Sequence, residues 1–153
     1  MVSPRAPASD RHAQLLFESF ARVVGRPLCA PITPFELAEH LWRMPQVLVS
    51  HGLEEDPLFN YGNAAGLTLF EMTWAQFIAT PSRESAEPLN QDARAKVMNE
   101  VATRGFVAGY SGVRIAQSGR RFRIEDTVIW NVIDADGAFC GQAATFARWT
   151  PLP

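Results

Sequence analysis

"LFNYGNAAGLTLFEMTWAQFIATPSRES", residues 58–85, is the stretch that decides how the chain folds. "LFNYGN" reads as a short strand running into the turn formers Asn60, Gly62 and Asn63. "AAGLTLFE" follows as a short helix, and "TWAQFIA" as another, capped by Thr73. "TPSRESAEPLN" is a loop with two prolines. The stretch holds no metal-ligand cluster, no nucleophile beside a base and no phosphate loop. Its residues pack and turn, and they predict a cavity wall.

Upstream, residues 1–8 are rich in Pro and Ala and are expected to fray. Ser9 or Asp10 can cap a helix whose apolar face is Leu15, Leu16, Phe17, Phe20, Val23 and Val24, ended by Gly25 and Pro27. "CAPITPFELAEHLWRMP" predicts a second helix. Thr33 would be its N-cap, Pro34 its first residue and Glu36 the partner in a capping box, with Phe35, Leu37, Leu41 and Trp42 as apolar residues. The period then changes. "QVLVSH" is a short strand with Val47 and Val49 on one face, followed by the loop "GLEEDP".

Downstream, "NQDARAKVMNEVATRG" is a helix with an early Asp92, a late Arg104 and a terminal Gly105. The last third predicts three β segments, separated at Ser118-Gly119 and at Asp134-Ala135-Asp136-Gly137. In the second, alternation puts Phe122, Ile124, Asp126, Val128, Trp130 and Val132 on one face, and Arg121, Arg123, Glu125, Thr127 and Asn131 on the other. One buried and one wet face mark an antiparallel sheet.

The 153 residues suit one domain able to bury its own core. A net charge of −2 gives no general attraction to nucleic acid or anionic membrane. No run of about 18 apolar residues is present, which excludes a spanning helix. Cys29 and Cys140 form no CxxC pair and suit a reducing compartment, so a cytoplasmic protein is expected.

The order of elements and two phrases carry a resemblance. "LFNYGNAAGLTLFEMTWAQFIATPS" and "SGRRFRIEDTVIWNVIDADGAFCGQAATFARW" resemble the core and the final hairpin of PAS domains. More narrowly, "VLVSHGLEEDPLFNYGNAAGLTLFEMTW", "PSRESAEP", "GYSGVRI" and "GRRFRIEDTVIWNV" resemble the MEKHLA family over about residues 12–150. Members of that family stand alone in bacteria or close plant class III homeodomain–leucine zipper regulators. The resemblance implies an α+β fold: a PAS-like five-stranded antiparallel sheet with small flanking helices. Residues 1–43 would form an N-terminal helical extension and residues 44–153 the PAS-like core, compact as one domain. It implies a non-enzymatic sensory or regulatory domain and brings no catalytic residue set.

Several sharper readings can be weighed on the residues. Haem would need His12, His40 or His51, but the longer helix that carries the axial His in haem-binding PAS relatives has none. Flavin-binding, light-sensing PAS relatives carry an Asn-Cys-Arg phrase where this chain reads Pro81-Ser82-Arg83, and Phe146 replaces their last-strand Gln. Both cofactors are therefore disfavoured, and no metal site is expected. "GYSG" at 109–112 is not a nucleophile elbow, since Val113 stands where the second Gly is required. Glu125 is expected to pair with nearby Arg. Asp126, on the apolar face, would need a partner such as Arg83 or Arg114. "SGRRFR" with Arg114 makes a basic patch too narrow for nucleic acid, though it suits an anionic partner.

The expected ligand-binding residues are His51, Asn60 and Tyr61 on the first strands, Arg83, Asp126 and Trp130, and Gln142 on the last strand. Phe59 and Thr145 are neighbours to them. As an alternative, His51, Tyr61 and Asp126 would be the acid and base candidates of a small enzyme. A homodimer through the first helices is the expected assembly, with a small molecule or a partner protein as the recognised species.

Overall fold

The computed structural model describes residues 9–153, so the expected fraying of residues 1–8 lies outside the described residues. Helix α1, Asp10–Val24, begins where the Ser9 side chain accepts the His12 amide at 3.1 Å. It closes on Gly25, whose left-handed backbone returns its N–H to the Ala21 carbonyl. Helix α2, Pro34–Arg43, starts on Pro34 as expected, but no capping box forms. The Thr33 backbone carbonyl takes the Glu36 amide at 3.0 Å, which leaves the hydroxyl without that partner. Leu37 and Leu41 are buried, whereas Phe35 is 92% exposed and plays no core role.

Six strands follow: β1 Val47–His51, β2 Phe59–Gly62, β3 Phe106–Ile115, β4 Arg121–Ile133, β5 Phe139–Phe146 and β6 Arg148–Pro151. All pair antiparallel in the order β2-β1-β5-β4-β3, with β6 against β4. Between β2 and β3 run α3 Ala64–Phe70, α4 Trp74–Phe77, a 3-10 turn at Ser82–Ser85, and α5 Pro88–Arg104. Helix α4 carries a complete capping box between Thr73 and Gln76. Helix α5 starts at Pro88, ahead of the expected "NQDAR", because proline suits a first helical position.

The sixth strand was not expected, and its origin is a line of irregularities across the sheet. Gly109 in β3 has φ 69°, Asp126 in β4 has φ 50°, and the chain breaks at Ala147 between β5 and β6. Register survives on both sides of this line: Ile129 lies opposite Val107, and Ile124 opposite Gly112. Side-chain alternation does not. Phe122 and Ile124 join Val47, Val49, Phe59 and Phe146 on the inner face, where Phe70 of α3 packs against them. Val128, Trp130 and Val132 join Leu48, Tyr61 and Ala143 on the outer face, under α1 and α2.

The single apolar face expected for β4 is thus split between the two sides of the sheet. Asp126, expected among those residues, sits at the switch and is exposed. Its partner is Arg148 at 3.7 Å, not Arg83 or Arg114, and Arg148 stands opposite Glu125 in the strand register.

The outer layer is sealed by α1. Trp130 is fully buried, donates its indole N–H to the Ser19 hydroxyl at 3.1 Å, and meets the Phe20 ring edge-on at 4.8 Å. Asn63 is the junction between the layers. Its side-chain oxygen accepts from Leu48 N and Gly66 N, both at 3.1 Å. Its side-chain nitrogen donates to the Leu41 carbonyl at 3.0 Å and the Gln46 carbonyl at 2.8 Å.

Two stability predictions follow from these contacts. Asn63→Ala leaves four backbone groups without partners in the core and should cost at least about 3 kcal/mol in urea unfolding. Trp130→Ala should cost about 3–5 kcal/mol without opening the inner side of the sheet, because α1 covers the site. A loss below about 1 kcal/mol in either variant would contradict this packing.

Candidate functional site

The inner face of the sheet, with α3 and α5, borders a partly open cavity of about 50 Å³. That is room for a few waters or a small molecular fragment. Val49, Phe59, Phe70, Ile129 and Phe146 supply apolar walls. His51, Arg94, Arg114 and Gln142 supply the polar groups.

Each polar group is placed by a local feature of the chain. His51 ends β1 opposite Gln142 of β5. The two strands close there because Gly141 has no side chain: a Cβ at its φ of 137° would run into the His51 carbonyl. Arg94 lies on α5 one turn before Met98 and two turns before the buried Val101, so helical spacing carries a guanidinium into an apolar stripe. Arg114 lies over the ring of Tyr110 with its guanidinium carbon 5.7 Å from the ring centroid. It donates to the Val113 carbonyl at 2.9 Å and to the Tyr110 hydroxyl at 3.4 Å. Gly112 leaves the space that these two side chains fill.

The electrostatics of this cavity are unusual. Arg94 is only 9% exposed and Arg114 only 6%. Among the described residues neither has a carboxylate within ion-pair distance, and Arg94 has no hydrogen bond. Burial, and then the charge of Arg114, pull the Arg94 pKa down to about 10, so it remains charged at neutral pH.

Gln142 donates to the Met98 carbonyl at 2.9 Å and to Asn131 Oδ1 at 3.2 Å, so its own oxygen faces His51 Nε2 at 3.3 Å. On this network His51 carries its proton on Nε2. Its Nδ1 is buried with no partner. Burial, then the positive Arg94, push the His51 pKa down to about 4.

The expected site residues are dispersed. His51 and Gln142 line the cavity. Tyr61 lies on the outer face, stacked on His12 at 5.7 Å and edge-on to Trp74 at 6.1 Å, and burial raises its pKa. Asn60 is exposed at a bulge and bonds Ser50, which also meets His12 at 3.1 Å. Arg83 is exposed and holds Asp56 through Nε at 3.0 Å. Trp130 is under α1, and Asp126 is on the surface.

Arg94 was missed by sequence reading, and Arg114 entered it only as an ion-pair candidate for Asp126 and as part of the basic patch. The available signal was the spacing of Arg94, Met98 and Val101, which puts a charge on the inward stripe of α5.

The MEKHLA domain profile matches residues 10–151. The chain belongs to the MEKHLA family.

Curated relatives of this MEKHLA domain include the homeobox-leucine zipper protein HOX29 of Oryza sativa subsp. indica. It is 26% identical over 160 residues, which covers 99% of this chain and 18% of the relative. The homeobox-leucine zipper protein REVOLUTA of Arabidopsis thaliana is 24% identical over 160 residues, covering 97% of this chain and 18% of its own length. The chain therefore spans about a fifth of the length of these relatives.

Among solved structures, a PAS domain from Colwellia psychrerythraea superposes with a TM-score of 0.61 at 16% identity, covering 71% of this chain and 89% of that one. A variant of the fungal photoreceptor VVD superposes with a TM-score of 0.59 at 16% identity, over 100% of both chains. These similarities show the PAS fold.

The cavity does not fit the flavin of the light-sensing PAS domains. Phe59 and Phe77 stack at 4.1 Å, and Phe70 packs 5.9 Å from Phe77, filling the space between sheet and small helices. Both cysteines lie elsewhere, Cys29 by α2 and Cys140 by α1. Haem fits no better. His51 Nε2 is engaged by Gln142, His12 by Ser50, and His40 lines a surface groove on α2.

The folded His51 pKa lies below its unfolded value near 6.5. Between these values the unfolded chain binds the proton and the folded chain does not. Stability should therefore fall as pH drops from about 6.5 to about 4, by roughly 3 kcal/mol at most. His12, also lowered by burial, acts in the same direction. His51→Gln should flatten much of this dependence in urea titrations. An unchanged pH slope in that variant would refute a buried neutral His51.

Proposed function

We propose that this MEKHLA domain is a non-enzymatic sensory and regulatory domain that takes a small molecule in the cavity between the inner sheet face and α5. Family and fold support the sensory, regulatory role. The observation that carries the ligand reading is an apolar cleft whose polar groups include buried charges with no protein counter-ion. The acid and base candidates of the enzyme alternative do not converge. His51 is on the inner face, Tyr61 on the outer face, and Asp126 on the surface at the strand switch. That dispersal favours recognition over transformation.

Two copies would pair through α1 and α2. Leu15 and Phe35 flank a surface groove on these helices, and Phe35 is almost fully exposed. A cytoplasmic setting is supported by the free thiols of Cys29 and Cys140. Two arginines of the basic hairpin are matched by acids, Arg120 by Glu71 at 3.6 Å and Arg121 by Glu87. A protein or small-molecule partner suits this surface better than nucleic acid.

Native mass spectrometry of protein purified from its own host should show a noncovalent small-molecule adduct on a dimer. Phe35→Glu should shift light scattering toward the monomer. A bare chain, monomeric at tens of micromolar, would overturn both parts of the reading.

A further inference from the structure

We propose that the cavity ligand is a short-chain organic carboxylate, its anionic end between Arg94 and Arg114 and its apolar end against Phe59, Phe70 and Ile129. This rests on the small-molecule reading above and names the chemistry of that molecule.

Three observations converge on one volume. Arg94 is buried at the wall with no hydrogen bond and no acid near it. Arg114 faces the same cavity and repels Arg94, a pairing that a folded chain tolerates poorly without a negative charge between the two. His51 presents a buried Nδ1 with no partner. A carboxylate would answer both cations directly and would engage His51 by drawing a proton onto Nδ1, which is unprotonated in the ligand-free network. Two guanidinium forks match its two oxygens, and a protonated His51 Nδ1 could donate to it. Gln142 is fully committed to Met98, Asn131 and His51, so it orients the imidazole and need not contact the ligand.

The remaining walls select against a bare inorganic anion. Beyond the arginines the lining is aromatic and aliphatic. Phosphate or sulfate would leave its further oxygens against apolar walls without donors, whereas an alkyl tail gains contact there. The cavity of about 50 Å³ limits the tail to a few carbons unless the side chains move.

The test uses the full chain and four probes in isothermal titration calorimetry: sodium butyrate, neutral butyramide, sodium phosphate and sodium sulfate. Butyrate should bind saturably, and butyramide and the inorganic anions at least about tenfold more weakly, the size of one charge-assisted hydrogen bond. Arg94→Met and Arg114→Met should each lose butyrate by a similar factor. Free Arg94→Met should unfold at higher temperature than the parent, because an uncompensated charge has left the interior. A purely structural arginine would give the opposite shift. Arg94→Lys, which keeps the charge, should retain part of the binding. In NMR, butyrate should move the His51 titration upward from near pH 4.

Equal binding of butyramide, undiminished in Arg94→Met, would overturn the anion site and leave the small-molecule reading standing. Tighter binding of phosphate or sulfate would overturn the carboxylate assignment. Binding of none of the probes would overturn the proposal, while the adduct found or not found on host-purified protein decides the broader reading separately.

Discussion

The four hydrogen bonds of the Asn63 amide hold the architecture together. Their acceptors and donors come from the end of α2, the entry to β1, β1 itself and the start of α3. A buried amide offers two donors and an accepting oxygen, and all are used here. No apolar residue could satisfy the same backbone groups, and an aspartate would set its oxygen against two carbonyls. Both layers are anchored through this side chain. Leu48 on the bonded strand faces α1 and α2, while its neighbours Val47 and Val49 face the cavity side.

The second constraint is the line through Gly109, Asp126 and Ala147. A regular β4 would keep Phe122 through Val132 on one side, and either α1 or the cavity would lose its apolar surface. Switching sides midway lets one strand serve two layers. The outer half, with Trp130 and Val132, receives α1; the inner half, with Phe122 and Ile124, closes the cavity against α3. Left-handed backbone at Asp126 is the local cost, and the exposed carboxylate beside Arg148 is a consequence.

The cavity sits between these constraints and inherits its character from them. Its apolar walls come from strand residues that the sheet must bury. Its charges are Arg94 of α5 and Arg114 of β3, and no acid among the described residues lies within ion-pair distance of either. Elsewhere in the molecule arginines are paired at the surface, as Arg83 with Asp56, Arg43 with Glu39 and Arg104 with Glu100. Such pairs contribute little to stability. Leaving two cations buried and unpaired while pairing others in water is the pattern expected of a recognition site, since the missing charge is then supplied by the ligand.

Local chemistry in the chain was enough to place the helices and five of the six strands, though not β6 or the start of α5. Ser9, Thr73, Pro34 and Gly25 set helix ends through effects that reach only one turn, and the alternation in β1 set its two faces. The family, and with it the PAS-like sheet, was legible in phrases such as "LFNYGNAAG". The tertiary structure alone decided which side of the sheet each residue serves. Strict alternation placed Trp130 and Asp126 together, whereas the backbone at Asp126 separates them, and no side-chain pattern announces a positive φ at an aspartate. Arg94 likewise looks like one more charge on a polar helix. Only the packing of α5 over β3 and β4 turns it inward, because burial belongs to the assembled layers and not to any single segment.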